Sequence, residues 1–170
     1  MIIVRSLATF QADFPDDCVE DDFNIVLVGG KNVTEAIRDI LVAQGCTDAK
    51  LLYGGEHGWE LTFAYEGYPL WMQVVQLDHY ILVCKESPIP GDGSESVPHL
   101  KVLLMLNERL RQDGRFHDLV WYRQQDFLRG GSGADLPVAR ADPPLESAKS
   151  KEGFLKSFLS AFRTHPESDG

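Results

Sequence analysis

Positive charge is what this sequence has least of. Sixteen lysines and arginines face 26 aspartates and glutamates, for a formal net charge of −10 and a pI near 4.8. Such a surface repels phosphate backbones and anionic lipid, so neither nucleic acid nor a membrane surface is expected as a partner. Cysteine is scarce as well. Cys18, Cys46 and Cys84 are odd in number and far apart, with no CxxC pair and no Cys/His spacing of a zinc or redox site. Free thiols in a reducing cytoplasm are the expectation. Long apolar runs are missing too: none approaches the roughly 20 residues that cross a bilayer. The opening MIIVRSLATFQADF has no basic leader or long apolar stretch, so no signal peptide is expected.

Catalytic motifs are also wanting. His57, His79, His99, His117 and His165 form no HExxH and no i, i+4 pair with one another. There is no GxSxG elbow, and GGKN at 29–32 lacks the remainder of a phosphate loop. Glu56, His57, Glu60 and Asp78 are the one set that a sheet would gather at one end as general acid and base. The acidic run 13–22 lacks the turn glycine and the bidentate glutamate of a calcium loop. The chain is therefore not expected to be an enzyme, and no catalytic residue, metal or cofactor is assigned.

What is present is a β-rich centre. Between Leu51 and Glu86 four apolar runs are punctuated by Gly54-Gly55, Gly67 and Asp78-His79. Trp59, Leu61, Phe63 and Tyr65 alternate with Glu60, Thr62 and Ala64, the period of a strand with one buried face. Trp59, Trp71 and Trp121 read as core on such strands. A further short strand is expected within 1–10, and a buried one at Phe23–Val28. Helices are expected at 33–44, capped by Asn32 or Thr34, and at 99–113; a last strand follows at 115–127. The 170 residues thus predict one α+β domain over 1–127, a mainly antiparallel meander against two to three helices.

Beyond it, 128–150 is Gly/Ser- and Pro-rich and reads as a flexible linker. Residues 151–164 place Phe154, Phe158 and Phe162 on one face of an amphipathic helix, and 165–170 form a tail. A helix this short is marginal alone. That face needs cover from its own domain, a partner, or a second copy in a homodimer.

Size, acidity and the meander GWELTFAYEGYPLWMQVVQLDHYILV (Gly58 to Val83) resemble bacterial immunity proteins, acidic cytoplasmic α+β domains that neutralise toxins. The resemblance implies occlusion of a basic or cleft-shaped protein partner. Asp16, Asp17, Glu20, Asp21 and Asp22 would face its groove, with Tyr53, Tyr68 or Trp71 as aromatic anchors. The helix–strands–helix–strand–helix order is also similar to type III secretion chaperones, which would imply a dimer that holds an effector.

Overall fold

A computed structural model of the chain describes residues 2–87 and 95–140. The expected 141–150 half of the linker, the 151–164 helix with Phe154, Phe158 and Phe162, and the tail lie outside them.

Alternation in the central runs produces the strands it predicts. These are β5 (Thr47–Tyr53), β6 (Trp59–Tyr65), β7 (Tyr68–Gln76) and β8 (Tyr80–Glu86), following β1 (Ile2–Val4), β2 (Leu7–Ala12), β3 (Val19–Glu20) and β4 (Ile25–Leu27). With β9 (Phe116–Tyr122), they build an antiparallel six-stranded sheet of order β5-β6-β7-β8-β2-β9. Glu66 and Gly67, both at positive φ, make the two-residue turn between the paired Tyr65 and Tyr68, the backbone twist a tight hairpin needs. On one face Trp59, Leu61, Phe63, Leu70, Met72, Val74, Leu82 and Phe10 are buried. Helices α1 (Lys31–Ala43) and α2 (Val97–Gln112) cover that face with Val33, Ile37 and Leu41, and with Leu103, Leu106 and Leu110. The chain is thus an α+β domain, and no helix among the described residues is long and apolar enough to cross a membrane.

Among the polar residues buried in this domain, Asn107 joins two elements. Asn107 of α2 accepts a hydrogen bond from the fully buried Trp121 indole at 2.9 Å and another from Arg111 at 3.0 Å. Arg111 continues to the carbonyls of Leu119 (2.9 Å) and Asp135 (2.8 Å). This network ties α2 to the edge strand and to the segment after it.

That segment was expected to be linker, but 133–140 is folded onto the sheet. Trp121 and Ala134 exchange backbone hydrogen bonds of 2.8 Å, and β10 (Val138–Arg140) pairs with β1. The glycines that composition reads as flexibility serve close approach. A Cβ on Gly133 would fall 2.2 Å from Val120 Cγ1 and 2.7 Å from the Tyr122 ring. The expected strand at 115–127 ends at Tyr122. Its remainder is the short helix α3 (Gln124–Leu128), whose Phe127 packs edge-on against Tyr122 at 5.3 Å.

Burial also separates the thiols. Cys46 and Cys84 are buried and Cys18 is half-buried. Desolvation, followed by the neighbouring Cys84, pushes the Cys46 thiol up to about 11. One thiol, Cys18, should therefore react with a disulfide reagent in native protein at pH 8, and all three in denaturant. Because the unfolded chain loses the Cys46 proton first, stability should also fall as pH climbs from about 9 towards 11. Fast native labelling of Cys46 would contradict its placement.

Candidate functional site

The acidic run and the apolar run after it form one object, a hairpin of β3 and β4 outside the main sheet. Phe23–Val28 was expected to be a buried strand. It is corrected to an exposed one, because a run of apolar residues specifies burial only where another surface is available to cover it. Phe23 is 90% exposed, and Val19, Ile25 and Val26 are also exposed. Glu20 ends β3 opposite Ile25, and Asp21 and Asp22 follow it in the turn.

The carboxylates divide by task. Asp21 closes the turn, accepting from the backbone N–H of Phe23 (2.9 Å) and Asn24 (2.8 Å), which holds its carboxyl below the usual range. Asp16 accepts from the Cys18 N–H at 3.0 Å. Asp17 reaches across the chain to accept from the Gly30 N–H (2.6 Å) and the Asn32 N–H (2.5 Å), so it caps α1. This replaces the expected Asn32 or Thr34 cap. Thr34 instead donates its hydroxyl to the Gly30 carbonyl at 2.7 Å.

The hairpin base is locked to the sheet. The Val28 N–H donates to the Tyr53 hydroxyl (3.1 Å), and the Trp59 indole donates to the Val28 carbonyl (2.9 Å). The two rings lie 5.0 Å apart, with Lys31 over Trp59 at 5.8 Å. Gly29 belongs to this seam, since a Cβ there would meet Gln76 Oε1 at 2.1 Å. The GGKN run is therefore a packing joint.

Of the expected anchors, Tyr53 lies beside the hairpin base. Tyr68 lies at the far end of β6, beyond the Glu66-Gly67 turn, and Trp71 lies mid-sheet on the opposite face. The Trp71 indole donates to Glu60 at 3.1 Å. The structure thus places Glu20, Asp21 and Asp22 at the hairpin end, Asp16 and Asp17 on the approach to it and Tyr53 at its base, with Tyr68 and Trp71 apart from them. The suggested acid–base set is engaged piecemeal: Glu60 with that indole, and exposed His57 with Glu56 at 3.9 Å.

A second polar cluster was not recognised in the sequence. Glu86 ends β8, Glu95 precedes the Ser96 cap of α2, and His99 lies in its first turn. His99 is 1% exposed and Glu86 is buried. The ring bonds through Nε2 to the Cys84 carbonyl at 3.2 Å. Its Nδ1 contacts Glu95 and lies 3.8 Å from Glu86. Glu86 accepts from the Ser96 N–H, and Ser96 Oγ from the His99 N–H at 3.3 Å. Burial lowers the affinity of His99 for its proton, but the hydrogen bonds to Cys84 and Glu95 outweigh that and raise its pKa to about 10. The signal for the cluster was Glu95 and His99 at i, i+4 across Ser96-Val97-Pro98. Starting the helix at His99 hid it.

No protein-family model, curated protein or solved structure matches the chain.

Proposed function

We propose that this chain is a protein-binding module of the immunity-protein kind, acting in the cytoplasm to occlude the active site of a basic toxin. The observation that carries the reading is the hairpin. A chain with a net charge of −10 displays Phe23, Ile25 and Val26 to solvent on a hairpin that also carries Glu20 and Asp22. Exposed apolar surface rimmed by one sign of charge is the form of an interaction site: carboxylates steer a cationic partner in, and the buried anchor sets its residence time. Asp21 and the Tyr53–Trp59 seam hold the tip in shape beforehand, which lowers the ordering cost on binding.

The test is co-expression of the full chain with candidate basic toxins. Wild type should rescue growth and co-purify one to one. A Phe23→Ser/Ile25→Ser variant should fail at both while its unfolding midpoint stays put, because exposed changes of this kind cost within about 0.5 kcal/mol. Rescue undiminished by the variant would remove the hairpin from the account. A chaperone-like dimer would need an apolar groove instead. An open cleft of about 550 Å³ lies along α1, but Glu35, Asp39 and Arg115 line it beside Phe14 and Ile40.

A further inference from the structure

We propose that Glu86, Glu95 and His99 form a divalent metal site of the zinc, cobalt or manganese class, at the junction of β8 and α2. One ligand atom from each residue lies within 4.8 Å of the other two. They come from three different local structures: a strand end, the residue before a helix cap and a first helical turn. The arrangement follows from the fold rather than from a loop that happens to be acidic.

Three features favour a cation. The first is the ring orientation. Nε2–H donates to the Cys84 carbonyl, so the proton that Nδ1 shares with Glu95 is the one a cation displaces, and its departure leaves the Nδ1 lone pair facing both carboxylates. A histidine ligand oriented by a backbone carbonyl on its other nitrogen is the usual support for a metal. The second is charge. Two carboxylates and a protonated His99 leave the cluster one negative charge in excess where Glu86 and His99 are buried, and a divalent ion in place of the His99 Nδ1 proton brings it to zero. The third is access. Glu95 is 34% exposed, so an ion has a route in and keeps a side open to water as a further ligand.

The donor set narrows the ion. One imidazole with two carboxylates suits zinc, cobalt or manganese, whereas calcium takes six to eight oxygens and magnesium keeps most of its water. Tetrahedral zinc with ligand bonds of about 2.0–2.2 Å holds its ligand atoms about 3.3–3.5 Å apart. His99 Nδ1 and Glu86 lie 3.8 Å apart, close to that, whereas Glu95 is in direct contact with Nδ1 and has to swing outward to admit the ion. Such an ion would pin the first turn of α2 to the end of β8.

The experiment uses the full chain after chelator treatment, titrated with zinc by calorimetry and with cobalt by visible absorption. The expected result is one equivalent bound, a cobalt spectrum of low-coordinate nitrogen–oxygen type, and a raised unfolding temperature. Glu95→Gln, an exposed change that leaves the buried pair in place, should weaken zinc uptake at least tenfold and abolish the thermal shift. His99→Gln should remove the nitrogen-dependent part of the cobalt spectrum. Absence of uptake by folded wild type would overturn the site. So would uptake that Glu95→Gln leaves unchanged, since the ion would then sit elsewhere.

Discussion

Gly58→Ala should destabilise the protein by about 3 kcal/mol or more, a large part of what a domain of this size has to lose. Gly58 stands at φ 84°, ψ −139°, a region essentially reserved for glycine. It is crowded as well. A Cβ would lie 2.4 Å from the Val74 carbonyl oxygen and 3.2 Å from Val75 Cα, backbone atoms that belong to the sheet and cannot step aside. Gly55, three residues earlier, separates the two causes. Its φ is 65°, but a Cβ there meets nothing within 4 Å. Gly55→Ala should thus show the conformational cost alone, about 1–2 kcal/mol. Urea unfolding of the pair measures the difference directly. Equal losses would mean that the start of β6 is not seated against β7 as described.

Asn107→Leu should cost about 1–3 kcal/mol although it adds apolar volume to a core, because it leaves the buried Trp121 indole N–H without an acceptor. The Trp121 indole loses its acceptor, and the Arg111 guanidinium loses one of three. Trp121→Phe removes the first donor, so the double variant should be less damaged than the sum of the singles. Strict additivity would show that the two side chains do not share the bond.

The central strands were legible because their chemistry is local. Trp59, Leu61 and Phe63 alternate with polar residues, and Glu66-Gly67 and Asp78-His79 mark turns, so period and punctuation agree. Both long helices were legible for the same reason. What local pattern does not carry is pairing across sequence distance. Asp17 caps a helix that begins 14 residues later, as Gly30 and Asn32 show. Gly133 is a glycine because Val120 lies beneath it, and only the fold says so. The hairpin was legible in its charge and not in its burial. Its carboxylates were singled out for their charge, while its apolar half was assigned to the core on hydrophobicity alone. The His99 cluster went unseen because starting the helix at His99 cut off Glu95, and Glu86 comes from a strand that only the fold brings alongside.

The central claim is that the hairpin is the surface a basic partner meets. The most direct measurement is the affinity of a cognate basic toxin for wild type and for Phe23→Ser/Ile25→Ser, taken by calorimetry at low and moderate salt. Loss of two anchors should weaken binding about 100-fold or more, equivalent to roughly 2.7 kcal/mol, with the unfolding midpoint unchanged. Wild-type association should also slow as salt rises. A variant that binds as tightly as wild type, with the same salt response, would place the partner elsewhere on the molecule and contradict the account.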